Sequence, residues 1–466
     1  METSVERVDD PHFEVSTDVL IIGAGCAGLI AALRAKEAGA SVLVLERDAL
    51  PLGSTALSAG LIPAAGTRFQ KTAGIADSEA LFARDIIAKA HGEPDADAVE
   101  TVIAAVAPAL EWLNDKHGLP FSVIENFTYP GHSACRMHGL PSRYGGELMD
   151  RLRAAAEAAG IDILCNAHAT TMLVEAHGHV IGMRFFRPDG ATDVVGCAAL
   201  ILACNGYGGN PARVKAHIPQ LSDALYFGHC GNQGEALAWG DALGAMSRDL
   251  SGHQGHGSVA HPQGILITWA TMMEGGFQVN QGGERFSDES HGYSEQAQAV
   301  LAQSGGIAWS IFDGRIADIA RQFEDFRNAE AMGAIVTADT VSALASKTGL
   351  PEAALGATFS SVSDAKSKGE TDAFGRNWRG IAPLVPPCLA VKVTGALFHT
   401  QGGLVVDACA RVRLKKGGAI ANLFAVGGAA CGVSGSQASG YLSGNGLLTA
   451  VGYGSIAGSA AALLRN

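Results

Sequence analysis

The stretch Thr17-Asp-Val-Leu-Ile-Ile-Gly-Ala-Gly-Cys-Ala-Gly-Leu-Ile-Ala-Ala-Leu33 decides the fold of this chain. An apolar run of strand length precedes its glycines, and an apolar helical pattern follows them and ends at Gly39. A second apolar run, Ser41-Val-Leu-Val-Leu45, then leads directly to Glu46. Strand, glycine turn, helix and second strand in this order predict an α/β nucleotide-binding unit.

The spacing within this unit assigns a role to each glycine. Gly23 makes the tight turn, Gly25 lets a pyrophosphate approach the backbone, and Gly28 lets the helix pack on the sheet. Glu46 stands 21 residues beyond Gly25, the distance at which an acidic side chain meets a ribose hydroxyl. The helix N-terminus supplies the anion site. The sequence therefore predicts that a dinucleotide binds here.

Composition and charge exclude several other classes of protein. The 466 residues carry a net charge of −13, which repels a nucleic-acid backbone. The apolar stretch from Val19 to Leu33 contains three glycines and is shorter than the ~18 to 20 residues of a membrane helix. We therefore expect neither nucleic-acid binding nor a membrane span.

The N-terminus and the cysteines indicate the cellular compartment. The first fifteen residues, METSVERVDDPHFEV, are acidic and do not resemble a secretory signal, so a cytoplasmic location is expected. The nine cysteines form no CxxC pair and are expected to be reduced and packed as small apolar side chains.

Four motifs in order indicate which dinucleotide binds. Pro51-Leu-Gly-Ser-Thr-Ala-Leu-Ser-Ala-Gly-Leu61 resembles the loop along which flavoproteins of the fumarate reductase and succinate dehydrogenase superfamily lay the flavin. The stretch from Ala199 to Asn210 resembles the ILATGG strand and turn of that superfamily. Leu423–Ala429 and Ser443–Leu448 resemble its YAAGE strand and GGNA helix start. The resemblance implies FAD, held non-covalently because Ala56-Leu57-Ser58 lacks the histidine that forms the covalent flavin bond.

The resemblance also implies the cofactor residues and the domain organisation. A Rossmann-like FAD-binding domain, residues 12–275 and 388–466, would carry an inserted, helix-rich substrate-capping domain at 276–387. Residues 308–368 show helical patterns and no strand-like run of comparable strength. The residues expected to bind FAD are Gly23, Gly25, Gly28, Glu46, Ser54, Thr55, Ser58, Gly60, Asn205, Gly206, Gly427, Gly444 and Asn445.

The substrate-facing positions depart from the fumarate reductase pattern. Fumarate reductases of this superfamily use motifs of the type VRGNGAILVN, FVNExTTRD, HHTMGG and NRLGGNA, in which arginines hold two carboxylates and deliver a proton. Here Met272, Tyr293 and Tyr441 occupy the three arginine positions, and only His399, in Phe398-His-Thr-Gln-Gly-Gly, keeps the family residue. A dicarboxylate would lose charge-assisted hydrogen bonds worth about 1.5 to 3 kcal/mol each.

Two tyrosines at such positions resemble the ketosteroid dehydrogenases, which desaturate a ketone beside its carbonyl. That resemblance implies that Tyr441, with an N–H of the Ser443–Asn445 turn, stabilises the enolate oxygen while Tyr293 removes the α-proton. Hydride would then leave the β carbon for flavin N5. Because a phenol with a pKa near 10 is a poor base, Tyr293 needs a partner, and His291 and His399 are the candidates.

A stretch around residues 127–146 lies where related enzymes place a substrate-facing loop. Either Tyr129 or Tyr144 could face the substrate, and the sequence does not decide between them. Arg136, His132 and His138 in this stretch could bind a substrate carboxylate, but the residues themselves favour a solvated loop.

Histidines at 253, 256 and 261 could suggest a metal cluster, but superfamily members have a His-Pro at this place near substrate without any metal. We therefore predict no metal and place His261 near the substrate.

The sequence thus predicts an FAD-dependent α,β-dehydrogenase (desaturase) of a ketone that passes electrons to an external acceptor such as a quinone or O2. The ketone would be cyclic, either steroid-like or a small carboxylated one such as 4-oxocyclohexanecarboxylate. The alternative is a flavin-dependent reductase of an activated C=C bond fed by an external electron donor. A third possibility is a flavin-binding protein without turnover.

Overall fold

A computed structural model describes residues 3–9, 12–125 and 128–465. The chain divides into two compact units. The first unit comprises residues 1–219, 228–253 and 399–466, and the second comprises 220–227 and 254–398. The second unit therefore begins before residue 276 and ends beyond residue 387, the limits that the sequence predicted for the inserted domain.

The fold is mixed α/β, as predicted. The strands, in chain order, are β1 (Ser4–Arg7), β2 (Ser16–Ile22), β3 (Val42–Leu45), β4 (Ile62–Pro63), β5 (Ser122–Val123), β6 (Met137–Gly139), β7 (Asp162–Leu164), β8 (His168–Val174), β9 (Val180–Phe186), β10 (Thr192–Leu202), β11 (Leu225–Tyr226), β12 (Ser247–Arg248), β13 (His253–Ala260), β14 (Ile265–Leu266), β15 (Phe277–Val279), β16 (Ile307–Asp313), β17 (Ile335–Ala338), β18 (Cys388–Thr400), β19 (Gly403–Leu404), β20 (Arg411–Arg413) and β21 (Ala419–Ala425).

The α-helices are α1 (Cys26–Glu37), α2 (Arg68–Thr72), α3 (Glu79–Lys89), α4 (Ala96–His117), α5 (Gly145–Ala158), α6 (Pro211–His217), α7 (Glu235–Ala242), α8 (Ala270–Met273), α9 (Tyr293–Leu301), α10 (Gly314–Ala320), α11 (Glu324–Ala331), α12 (Val341–Thr348), α13 (Glu352–Lys368) and α14 (Asn445–Ala461).

The first unit is built on a sheet with the order β1-β8-β9-β10-β2-β3-β7, and β21 also pairs with β10. Strands β21, β10, β2, β3 and β7 run parallel to one another, with β7 at the edge of the sheet. The predicted unit of strand, glycine turn, helix and strand is β2, α1 and β3. Since ligands of open parallel sheets bind beyond the carboxyl ends of the strands, the loops after β2, β3, β10 and β21 define the candidate site.

Helix α14 packs against α1 and α4 in the core of the first unit. The segment Asn445–Leu464 is long and apolar enough, by length and composition, to cross a membrane, but 67% of its apolar window is buried inside the protein. This burial is typical of a core helix. The close approach of α14 to α1 depends on small residues: a Cβ on Gly458 would lie 2.2 Å from the backbone oxygen of Ala31.

We expect Gly458→Ala to destabilise the protein, because the added methyl group would force α14 away from α1. Overpacking of this kind costs about 1 to 3 kcal/mol, and a lower melting temperature in thermal unfolding measures it. Gly356→Ala is the matched control, since Gly356 lies in α13 with nothing within 4 Å of an added Cβ. The control should be neutral or up to about 1 kcal/mol more stable. Equal melting temperatures for Gly458→Ala and wild type would contradict this packing.

The second unit contains a mixed sheet with the order β14-β13-β18-β16-β15, to which β11 and β17 add by pairing with β18. Strand β17 and nearly all of β16 fall within residues 308–368, where the sequence showed helical patterns and no strand-like run of comparable strength. That expectation was wrong in detail, because β16 is buried along nearly its whole length. A strand covered on both faces lacks polar alternation, so its apolar run cannot be told from a buried helix.

Candidate active site

The three glycines of the turn after β2 have different surroundings. A Cβ on Gly23 would lie 2.6 Å from the Ala203 oxygen, and the residue has a φ of +103°. A Cβ on Gly28 would lie 2.0 Å from the Gly23 oxygen, so α1 could not start where it does. Gly25 differs, because its nearest neighbour would be the Thr55 hydroxyl at 3.9 Å. The protein itself therefore leaves open the space at Gly25 that the sequence assigns to a pyrophosphate.

Glu46 follows β3 and supports the glycine turn. One carboxylate oxygen accepts a hydrogen bond from the Ala24 N–H at 2.8 Å, and the other accepts from the Asp48 N–H at 3.0 Å. Thr55 approaches the same turn, since its hydroxyl accepts from the Cys26 N–H at 3.4 Å. The acidic side chain is thus oriented beside the start of α1, where a ribose hydroxyl could reach its remaining lone pairs.

The hydroxyl residues after β3 form a 3₁₀ turn, Ser54–Leu57. The Ser54 hydroxyl accepts from the His229 N–H at 3.0 Å and from the Asn232 amide at 2.8 Å. The Ser58 hydroxyl donates to the Thr55 oxygen at 2.7 Å and accepts from the Gly60 N–H at 3.1 Å. These bonds fix the course of the predicted cofactor loop.

The turns after β10 and β21 meet side by side. Asn205 has a positive φ of 65°, and its side-chain oxygen accepts from the Gly206 N–H at 2.8 Å. A Cβ on Gly206 would lie 2.0 Å from the Thr400 hydroxyl, and a Cβ on Gly428 would lie 2.1 Å from the Asn205 side-chain oxygen. The Asn205 amide therefore occupies the space that a side chain at 428 would need. Position 428, which corresponds to the glutamate of the YAAGE motif, therefore has no room for a side chain.

The N-terminus of α14 has polar groups for which the described residues provide no hydrogen-bond partner. Gly444 caps the helix with a φ of +87° and provides no side-chain hydrogen bond. The N–H groups of Gly446 and Leu447 belong to the first turn, where no intrahelical acceptor is available. Asn445 is fully buried, and its side-chain oxygen has no partner among the described residues.

These features fit FAD. The open space at Gly25 would admit the pyrophosphate, and the carboxylate of Glu46 would accept a hydrogen bond from a ribose hydroxyl. The unsatisfied Asn445 oxygen would accept one from a donor such as an imide N–H of the flavin ring. Gly427, with a φ of +55°, lies in the turn after β21 and belongs to the same loop cluster. The predicted cofactor residues of the first unit are therefore compatible with the cofactor that the sequence indicates.

Tyr441, His399 and Gln401 converge on the first turn of α14. A Cβ on Gly446 would lie 3.8 Å from the Tyr441 hydroxyl, 3.9 Å from Gln401 Nε2 and 3.9 Å from His399 Cε1. Tyr441 is 5% exposed. Burial lowers the pKa of His399 to about 4, although part of its ring surface stays accessible. A phenol and a neutral imidazole therefore lie beside the free N–H groups of a helix start.

Tyr293 is the first residue of α9 in the second unit. Its ring stacks on His256 with centroids 4.8 Å apart, and Trp269 meets it edge-on at 6.2 Å. Burial lowers the pKa of His256 to about 3, so this imidazole is neutral. Its Nδ1 accepts from the Ser258 N–H at 3.1 Å, which leaves the proton on Nε2.

His291 was a predicted relay partner of Tyr293, and its surroundings do not support that role. Its side chain is 74% exposed and lies 3.4 Å from the carboxylate of Asp288. The histidine that contacts Tyr293 is His256, which the sequence reasoning considered only as a metal ligand. Its position in β13, three residues from the start of the strand, gave no signal of this contact, because the two residues are 37 positions apart.

Arg136 also needs a correction, because it is buried and engaged rather than part of a solvated loop. Its guanidinium bonds to Asp77 at 2.9 Å and to Asp85 at 2.6 Å and lies over the Phe82 ring. Two carboxylates of its own chain therefore already neutralise it, which leaves no charge for a substrate carboxylate. The paired acidic residues lie more than 50 positions upstream, so the sequence could not reveal them.

The two neighbouring histidines have structural partners. His132 Nε2 bonds to the Ser443 oxygen at 3.0 Å, and His138 bonds to the Thr67 hydroxyl at 2.8 Å and to the Arg136 oxygen at 2.9 Å. Burial lowers the pKa of both rings to about 4. Neither imidazole is therefore a cation that could assist in binding a carboxylate.

The remaining substrate-facing predictions stay predictions. Tyr129 and Tyr144 are both half-buried in the first unit, and Tyr144 precedes α5 as its N-cap residue. His261 has an exposed side chain at the end of β13 in the second unit. Among residues 3–9, 12–125 and 128–465, no cluster of His, Cys, Asp or Glu has an arrangement that could hold a metal ion.

Comparison with known proteins identifies the family. Residues 18–447 match the FAD binding domain family. A probable fumarate reductase of Shewanella frigidimarina is 30% identical over 447 residues, which cover 96% of this chain and 75% of that protein. A urocanate reductase of Eggerthella lenta is 28% identical and covers 88% of this chain and 69% of its own length.

Solved structures agree with this assignment. The open conformation of a flavocytochrome c3 fumarate reductase superposes with a TM-score of 0.81 and 29% identity, covering 97% of this chain and 79% of that chain. The fold is also shared with 3-ketosteroid-Δ4-(5α)-dehydrogenase from Rhodococcus jostii RHA1, with a TM-score of 0.75, 24% identity and coverage of 97% and 98%. The predicted FAD cofactor is confirmed, and the chain belongs to the FAD binding domain family, within the fumarate reductase and succinate dehydrogenase flavoprotein superfamily, as an FAD-dependent oxidoreductase.

Proposed function

We propose that this oxidoreductase desaturates a ketone between its α and β carbons. The observation that carries the proposal is the buried Tyr441 phenol beside the first turn of a 17-residue helix, α14. An α C–H bond becomes acidic only when the developing enolate oxygen is stabilised. A phenol donor, free backbone N–H groups and the positive end of a helix dipole together provide that stabilisation.

Two backbone N–H groups are the best candidates for donating a hydrogen bond to the enolate oxygen. The sequence indicated an N–H of the Ser443–Asn445 turn, but the Asn445 N–H already donates to the Leu442 oxygen at 3.0 Å. The N–H groups of Gly446 and Leu447, one residue further on, are better suited to receive an enolate oxygen.

The base in this proposal is Tyr293. FAD, when bound, supplies the oxidant by accepting hydride from the β carbon. Tyr293 removes the proton from the α carbon, so that the ketone leaves as an enone. An external electron acceptor, a quinone or O2, would then regenerate the oxidised enzyme.

The charge of the surroundings argues for an uncharged reacting group. The three positions at which fumarate reductases carry arginine hold Met272, Tyr293 and Tyr441, and all three side chains are buried. Arg136, one of the two arginines in the predicted substrate loop, is neutralised by Asp77 and Asp85. These features favour a ketone over a dicarboxylate and leave its size open, from a monocyclic ketone such as 4-oxocyclohexanecarboxylate to a steroid.

Reduction of an activated C=C bond is the second candidate function. It is favoured by the relatives at 26–30% identity, whose names describe reduction of fumarate, urocanate, acrylate and vinyl phenol. The same two tyrosines would serve that direction: Tyr293 would donate a proton to the α carbon instead of removing it, and Tyr441 would again stabilise the enolate oxygen, since a reversible step uses the same groups both ways.

Anaerobic mixing of the purified holoenzyme with a panel of saturated cyclic ketones, with and without carboxylates, tests the proposal. We expect one ketone to bleach the flavin absorbance rapidly, because hydride transfer reduces the cofactor. Matched alcohols, which lack the acidified α C–H bond, are the control and should leave the absorbance unchanged.

Two other outcomes would overturn the proposal. If no ketone bleaches the flavin, but an enone or unsaturated acid reoxidises the dithionite-reduced enzyme, the protein is a reductase of C=C bonds. No change in flavin absorbance in either direction would instead indicate a flavin-binding protein without turnover.

A further inference from the structure

A buried chain of hydrogen bonds runs from the start of α14 to His399. The Asn445 amide donates to the Ser434 hydroxyl at 2.9 Å, and this hydroxyl donates to Gln401 Oε1 at 2.8 Å. Gln401 Nε2 lies 2.8 Å from His399 Nδ1. Because an amide nitrogen can only donate, Nδ1 of His399 is the acceptor and carries no proton.

This chain determines which ring nitrogen of His399 can act on a ligand. With Nδ1 accepting, the single proton of a neutral imidazole must lie on Nε2. Nε2 lies 3.0 Å from the point that a Cβ of Gly428 would occupy, in the glycine turn after β21. Within the described part of the chain, Nε2 has no hydrogen-bond partner.

The chain is also well protected from solvent. Gln401 is 3% exposed, Ser434 is 1% exposed and Asn445 is fully buried. A buried polar chain is rigid when each member is satisfied, since a broken bond leaves an unpaired group in a low-dielectric environment. The orientation of the Gln401 amide is therefore set by Ser434 and transmitted to the imidazole.

We propose that Gln401 is a positioning residue that holds His399 as the neutral Nε2–H tautomer, so that the site offers an uncharged hydrogen-bond donor to a carbonyl oxygen. The part of this inference that concerns the carbonyl rests on the function proposed above. A neutral donor suits a ketone, whereas a carboxylate is bound more strongly by charged donors. In the HHTMGG motif that this stretch resembles, the corresponding residue is methionine, which cannot donate a hydrogen bond.

Nitrogen NMR of holoenzyme labelled with [¹⁵N]histidine tests the inference without substrate. The His399 signal among the fifteen histidines is assigned by its loss in His399→Asn. In wild type we expect a proton on Nε2 and none on Nδ1. Gln401→Met should give a mixture of the Nδ1–H and Nε2–H tautomers. Gln401→Glu should place a proton on Nδ1, because the carboxylate can only accept a hydrogen bond.

The matched control is Gln437→Met, which removes an exposed glutamine bonded to Glu93 and should leave the His399 signal unchanged. Ser434→Ala provides a second route if Gln401→Met does not fold, and it should loosen the tautomer in the same way. A wild-type His399 protonated on Nδ1, or a His399 signal that does not respond to Gln401→Met or Ser434→Ala, would overturn the inference. Since no ketone is present, this failure is distinct from failure of the ketones to bleach the flavin.

Discussion

Tyr441→Phe is expected to slow flavin reduction by the ketone about 100- to 1,000-fold, the usual loss when one donor to a developing oxyanion is removed. The phenol hydroxyl lies beside the first turn of α14, so its loss removes a donor without changing the ring that packs there. Stopped-flow absorbance under anaerobic conditions measures the rate. The flavin spectrum and content should stay those of wild type, because the hydroxyl is not expected to hold the cofactor.

Tyr453→Phe is the matched control for this variant. Tyr453 is another buried tyrosine, and it lies inside α14, about two turns beyond the start of the helix. Removing its hydroxyl should leave the rate of flavin reduction within a few-fold of wild type. A Tyr441→Phe rate as high as that of the control would take Tyr441 out of the donor role while leaving the ketone reaction itself open to the panel experiment.

Tyr293→Phe is expected to lower turnover by about 100- to 10,000-fold, the range for loss of a general base. Phenylalanine keeps the stacking on His256 and the edge contact with Trp269 but cannot accept a proton. The decisive measurement is exchange of the ketone α-hydrogen with deuterated solvent in reduced enzyme, where hydride transfer is blocked. Exchange should disappear in Tyr293→Phe and persist in Tyr441→Phe at a reduced rate.

Tyr226→Phe serves as the control in the same unit, since Tyr226 lies in β11 at the edge of the sheet and has no proposed role. Unchanged exchange in Tyr293→Phe would exclude Tyr293 as the base.

His256→Phe tests whether His256 only packs against Tyr293 or also passes a proton to or from it. It keeps an aromatic ring against Tyr293, so a loss of exchange in this variant would assign the neutral imidazole to proton movement.

The chemistry-bearing motifs could be predicted from sequence because each is local. Gly23, Gly25, Gly28 and Glu46 lie within a single strand–helix–strand unit, whose spacing follows from the length of one helix and one turn. The order of four such motifs along the chain was sufficient to predict FAD and the superfamily. The strands of the second unit were harder to predict from the sequence, because burial on both faces of β16 removed the alternation of polar and apolar residues that indicates a strand.

Arg136, His256 and Gln401 show the limit of this reasoning. Each has a role that depends on partners far away in the sequence: Asp77 and Asp85 for Arg136, Tyr293 for His256, and Ser434 for Gln401. A lone arginine in a polar stretch looks like a ligand for an anion until the carboxylates that neutralise it are found.

The sequence by itself determined the nucleotide-binding unit, the cofactor and the loss of arginines from the substrate-facing motifs. Only the tertiary structure decided that Asn205 fills the space beside Gly428, that Arg136 is neutralised, and that Gln401 holds one tautomer of His399. The physical reason is that propensity and spacing act between near neighbours in the chain. Charge neutralisation, tautomer choice and burial are instead set by atoms that only folding brings together.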